Sequence, residues 1–142
     1  MVERGGVMVL DDTYNANPAS LAAALELLEA VRGARRTVVV VGTMRELGPA
    51  SAGFHTALAE RILALRPDVV AAVGDFAPAF DGLAGRHGGV RVLTGATPAD
   101  VARGLRAELR PGDVALFKAS RGMRLERLFP LLWPSPDGGE AR

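Results

Sequence analysis

The sequence contains no cysteine. That excludes a disulfide framework, a Cys-ligated zinc site and a thiol nucleophile, and it is compatible with a cytoplasmic protein. Lysine occurs once, as Lys118, and histidine twice, as His55 and His87. Basic and acidic residues nearly balance, 17 against 16, for a net charge of +1. Such a balance gives no electrostatic drive toward nucleic acid or an anionic membrane. No basic segment leading into a long apolar run opens the chain, so no signal peptide is expected. No apolar stretch approaches the roughly 20 residues of a membrane-spanning helix. There is no G-x-x-x-x-G-K-[ST] loop, and no G-x-G-x-x-G follows the first apolar run. The chain therefore lacks a phosphate-transfer centre of its own. Histidines and carboxylates do not fall at metal-ligand spacing, so no metal site is expected, and no Ser-His-Asp order is visible.

What is present is a regular alternation of short β-branched runs and amphipathic stretches. The chain has 142 residues, 49% of them hydrophobic, enough for one packed domain. Strands are expected at residues 7–11, 37–41, 68–73, 90–93 and 114–117. Helices are expected at 18–32, at 51 to about 66, weakly at 76–86, from Pro98 with Val101, Leu105 and Leu109 inward, and from Arg121 to Leu132. Ser51 and Ser120 are candidate caps, and Phe54, Leu58, Ile62 and Leu65 form the expected inner stripe of the second helix. Met1 to Gly6 reads as a cut end or a remnant of an edge strand. Right-handed crossovers turn this order into an α/β fold: a three-layer, doubly wound, mostly parallel, Rossmann-like sheet of five to six strands. One domain is expected over residues 1–133, with a mobile tail over 134–142.

In such sheets ligands bind outside the carboxyl ends of the strands. Three strand ends carry the polar chemistry. The first gives Asp11, Asp12, Tyr14, Asn15 and Asn17, with Asn17 a good N-cap and Pro18 at the first helical position. The second gives Thr43-Met44-Arg45-Glu46-Leu47-Gly48. The third gives Lys118-Ala119-Ser120-Arg121-Gly122, where a hydroxyl and a cation at a helix start suit a carboxylate or phosphate. His55, one turn beyond the second loop, is compatible with packing and with catalysis, and the residues alone leave both open. His87, flanked by glycine, is expected at the surface.

These residues carry a resemblance. Asp11-Asp12-Thr13-Tyr14-Asn15-Ala16-Asn17-Pro18-Ala19-Ser20 resembles the D-D-[ST]-Y-N-A-N-P-x-S motif of the Mur ligases that add D-alanyl-D-alanine in peptidoglycan synthesis. Gly42-Thr43-Met44-Arg45-Glu46-Leu47-Gly48 is similar to their G-D-M-x-E-L-G loop. His55 matches a histidine that follows it, and Lys118-Ala119-Ser120-Arg121 resembles their K-G-S-R motif. The matches run in order over about residues 7–130 and correspond to the family's third, C-terminal domain. There are two departures: Thr43 stands where the family usually has Asp, and Ala119 where it usually has Gly. The first removes a carboxylate, putting in doubt any role of that charge. The second adds a methyl where a close backbone approach is at issue.

The resemblance implies an ATP-dependent ligase that activates the carboxylate of UDP-N-acetylmuramoyl-tripeptide as an acyl phosphate. The amine of D-Ala-D-Ala then attacks, giving a peptide bond, ADP and phosphate. Carried over residue by residue, Asp12 would accept hydrogen bonds from the ATP ribose, and Tyr14 and Asn17 would line the nucleotide. Asn15, His55, Ser120 and Arg121 would face the dipeptide, the last two near its carboxylate. The phosphate loop and Mg2+ ligands belong to the central domain, which has no counterpart here, nor has the domain holding the UDP-sugar peptide. No catalytic residue is therefore expected within this chain, and the chain alone is expected to be inactive. Two other readings stay open on the residues. One is a phospho-receiver-like signalling domain, in which Asp11, Asp12, Asp75, Thr94 and Lys118 echo an acidic pocket. The other is a free-standing binding module derived from the ligase domain.

Overall fold

The structure, a computed structural model, describes residues 1–13 and 15–134. Tyr14 and the expected tail beyond Pro134 lie outside them. The strands are β1 (Val2–Arg4), β2 (Val7–Asp12), β3 (Thr37–Val41), β4 (Val69–Val73), β5 (Arg91–Gly95) and β6 (Val114–Lys118). The helices are α1 (Pro18–Arg32), α2 (Ser51–Ala64), α3 (Phe76–Asp81), α4 (Pro98–Glu108) and α5 (Leu128–Leu132). One sheet runs in the order β1-β2-β6-β3-β4-β5. All its neighbours are parallel except β1, which pairs antiparallel with β2.

Strand alternation sorts the core into two layers, since successive side chains point to opposite faces. Leu10, Val39, Val41, Val70 and Leu116 pack under α1, α2 and α3. Val9, Val38, Val40, Val69 and Phe117 pack under α4 and α5. β3, β4 and β6 are buried along their whole length. This burial on both faces is why they read as near-continuous apolar runs. The first residues form an edge strand after all. Gly5 and Gly6 turn it at φ 57° and 81°, conformations that cost glycine little.

The structure corrects the sequence reading at several places. Ser51 does not cap α2; it is the helix's first residue, preceded by a 3-10 turn over Gly48–Ala50. The inner face of α2 is His55, Leu58, Ala59 and Ile62, while Phe54 is 42% exposed and Leu65 only partly buried. The expected helix from Arg121 to Leu132 is three pieces. Two 3-10 turns, Arg121–Met123 and Leu125–Arg127, precede α5. Arg124 separates the turns at φ 52°, in the left-handed region. Met123 and Leu125 both pack into the α4–α5 layer, with Met123 also lying beside Gly42 and Gly74 at the ends of β3 and β4. His87 is half-buried, its Nε2 lying 2.8 Å from the Phe80 carbonyl.

Candidate functional site

β6 is the centre of the rim. In register, Asp12 of β2 and Val41 of β3 both lie level with Lys118. The chain leaves β6 toward the α4–α5 layer and leaves β2 and β3 toward the α1–α3 layer. Adjacent strands whose connections depart on opposite faces open a crevice at their carboxyl ends. Crevices therefore flank β6 on both sides.

Lys118 is 1% exposed. An ammonium so placed is strongly unfavourable unless paired and hydrogen-bonded. Here its Nζ donates to Asp12 Oδ2 and, at 2.9 Å, to the Asn15 carbonyl. The Asp12 side chain remains 52% exposed, so it presents a fixed acceptor to solvent. Asp11 projects from the opposite face of β2. Its Oδ1 accepts from the Thr13 N–H at 3.2 Å and hydroxyl at 3.0 Å, an Asx turn that shapes the loop. Asn15 is exposed. Asn17 caps α1 reciprocally with Ser20: Asn17 Oδ1 accepts from the Ser20 N–H at 2.8 Å, and Ser20 Oγ accepts from the Asn17 N–H at 3.0 Å. Its amide oxygen is thus committed to the helix end.

Ser120 is 6% exposed and caps nothing. Its hydroxyl accepts the Arg45 N–H at 2.8 Å and lies 3.4 Å from the Ala16 carbonyl. Its own N–H donates to the Thr43 carbonyl at 3.1 Å. One serine therefore ties the loops after β2, β3 and β6 together. Thr43 adds the loop after β4, because its Oγ1 accepts the Asp75 N–H at 2.8 Å. The usual Asp could take the same N–H, so threonine keeps the acceptor and drops the charge. Ala119 is fully buried, and a Cβ on Gly42 would lie 2.9 Å from its methyl. The added methyl is accommodated by the glycine opposite.

His55, expected to face the dipeptide, lies buried behind the Thr43–Gly48 loop. The ring is 1% exposed and meets Phe76 edge-on at 4.7 Å. Its Nε2 accepts the Met44 N–H at 3.0 Å, which places the proton on Nδ1, and Nδ1 donates to the Ser51 carbonyl at 2.8 Å. Both nitrogens are occupied in holding the Thr43–Gly48 loop against α2. Arg45, placed in the second strand-end loop by the sequence but given no role there, stands at the centre of the rim. A Cβ on Gly122 would overlap its guanidinium, so that group lies across the β6 turn. The signal for it was Gly122 itself, a residue without a side chain next to Arg121. Arg121 is exposed in the same turn.

The structure thus brings Asp12, Asn15, Ser120 and Arg121 to one rim, with Asn17 at the adjoining helix start and His55 behind the loop. Among the described residues no group of three or more His, Cys, Asp or Glu could hold a metal ion. A carboxylate acceptor, an amide and two guanidinium groups on rigid supports make a surface for binding and orienting a ligand.

Comparison with known proteins places the chain in a family. Residues 1–121 match the family described as Mur ligase, glutamate ligase domain. The chain is 33% identical to the UDP-N-acetylmuramoyl-tripeptide–D-alanyl-D-alanine ligase of Bacillus subtilis, over 92% of this chain and 29% of that protein. It superposes on a MurF from Acinetobacter baumannii with a TM-score of 0.79 at 32% identity, covering 92% of this chain and 29% of the other. A MurF ligase from Thermotoga maritima in complex with ADP gives a TM-score of 0.72 at 33% identity, with the same coverage. The chain spans under a third of the length of these relatives. It belongs to the Mur ligase family, as the glutamate ligase domain that the match over residues 1–121 defines.

Proposed function

We propose that this chain is the C-terminal domain of an ATP-dependent ligase that joins D-Ala-D-Ala to UDP-N-acetylmuramoyl-tripeptide in the cytoplasm. The carrying observation is the knot at the rim: Lys118 bridging Asp12 and Asn15, and Ser120 joining the loops of Ala16, Thr43 and Arg45. That knot sets a nucleotide side and an amino-component side next to each other. Asp12 accepts from the ribose hydroxyls, as an ionised carboxylate accepts from hydroxyl donors. Tyr14 and Asn17 line the nucleotide. Asn15 and Arg121 face the dipeptide, Arg121 toward its carboxylate, while Ser120 and His55 hold the loops that shape the pocket. The ADP bound by the Thermotoga maritima relative supports the nucleotide half.

The Mg2+ that accompanies ATP would be held by the central domain of the full ligase, as the resemblance implies. The central and N-terminal domains supply the phosphate loop and the UDP-sugar peptide site. The chain alone contributes contacts and no turnover, because half a cleft cannot exclude water from an acyl phosphate. Titration calorimetry should show weak ADP binding that Asp12→Ala weakens about tenfold, and an ADP-release assay with all substrates should stay at background. Turnover by the chain alone, or ADP affinity indifferent to Asp12, would overturn this reading.

A further inference from the structure

We infer that Lys118 is a positioning residue that sets both halves of the proposed site at once, orienting Asp12 toward the nucleotide and Asn15 toward the amino component. This rests on the function proposed above and goes beyond it by coupling two subsites through one buried ammonium.

Three observations carry it. Lys118 ends the central strand of the rim, level with Asp12. It is 1% exposed, so its charge has no solvent to fall back on. Its hydrogen bonds go to the Asp12 carboxylate, at the end of β2, and to the Asn15 carbonyl, within the loop that leads into α1. Asp12 is half-exposed at a strand end, where a carboxylate would ordinarily sample several rotamers. With Oδ2 held by Lys118, the carboxylate has one orientation and turns Oδ1 outward before any ligand arrives. Holding the Asn15 carbonyl inward leaves the Asn15 residue exposed on the other side of the same loop. A charged hydrogen bond to a buried donor is stronger than a neutral one, and a preset acceptor binds without first being ordered. Met at this position would keep the stem and lose both bonds.

The test uses the full chain and its Lys118→Met variant, with Asp12→Asn and the double variant completing a cycle. ADP and 2′,3′-dideoxy-ADP are the probes. The unmodified chain should prefer ADP over the dideoxy probe, and Lys118→Met should weaken ADP about tenfold while removing most of that preference. Loss of stability alone would lower both affinities together and leave their ratio intact. In the Asp12→Asn background, Lys118→Met should change ADP affinity less than twofold. Without ligand, amide exchange at residues 13–17 should quicken in Lys118→Met, with the β3 and β4 amides unchanged. An ADP preference that survives Lys118→Met, or unaltered exchange over residues 13–17, overturns the inference. A wild-type chain that takes no ADP overturns the proposed function and the nucleotide half of the inference. The Asn15 half is then still decided by the exchange measurement.

Discussion

Single contacts decide the rim at the residue scale. The Gly42–Ala119 pair is a steric lock: a Cβ at 42 and the methyl at 119 compete for one space. Gly42→Ala should destabilise the chain by about 1–3 kcal/mol, the usual range for overpacking. Adding Ala119→Gly should recover most of that, since it vacates the same volume. Urea unfolding of both single variants and the double variant measures it; strict additivity would show that the two sites do not compete. His55 is a second such contact. His55→Ala removes the acceptor of the Met44 N–H and leaves a hole beside Phe76. A loss of about 2–4 kcal/mol is expected, from cavity and unsatisfied donor together. The same residue shows where sequence reading stops. Leu58 and Ile62 fit an inner stripe begun at either Phe54 or His55, and hydropathy alone favours Phe54. The choice is made by the Met44 N–H, a partner eleven residues upstream that only the fold brings near.

At the scale of elements, the strands and the two Pro-preceded caps were legible, while the Ser51 and Ser120 caps and the segment after β6 were not. The Asn17-Pro18 and Thr97-Pro98 starts carry their own local hydrogen bonds, so sequence suffices. In α4 the Thr97 N–H donates to Asp100 Oδ2 at 2.9 Å. Hydrogen bonds from the Thr97 backbone and side chain hold the Asp100 carboxyl below its ordinary value of 3.8. A lowered folded pKa means a stabilisation present above 3.8 that fades as pH falls through the folded value. The urea midpoint of Asp100→Ala should therefore trail the wild type near neutral pH and converge with it in acid below 3.8. A gap that stays constant with pH would assign the effect to something other than the carboxylate. The segment from Arg121 to Leu132 misled because Leu125, Leu128, Phe129 and Leu132 fall at helical spacing, with Pro130 a late irregularity. Its shape is set instead by Arg124 at φ 52° and by Met123 lying beside Gly42 and Gly74, residues distant in sequence that only the fold brings near. Gly122→Ala tests the same turn: it should push the Arg45 guanidinium off the β6 turn with little change in stability, because the displaced group is exposed. Chemical shifts at Arg45 and Arg121 should move while the unfolding midpoint holds within about 0.5 kcal/mol.

At the scale of the whole molecule, the doubly wound order follows from alternating runs and handedness, so the sheet was readable in outline. The placement of β6 between β2 and β3 was not, because strand order depends on which long crossover packs where, and no local pattern encodes it. That placement is what makes the rim: it seats Lys118 and Ser120 between two loops that come from the first half of the chain. A ligand held across those loops stabilises the sheet as one unit, since β2, β6 and β3 are joined along their length. Binding to the folded state alone raises stability by RT ln(1 + [L]/Kd), about 1.4 kcal/mol at ten times Kd. For a domain of this size that corresponds to a rise of roughly 4 °C in the unfolding midpoint. Thermal unfolding with increasing ADP should show this rise with a single transition, and Asp12→Ala should cut the rise to about a third at the same ADP concentration. Two separate transitions, with only one responding to ADP, would mean that the loops bind as a local patch and that the sheet does not carry the site.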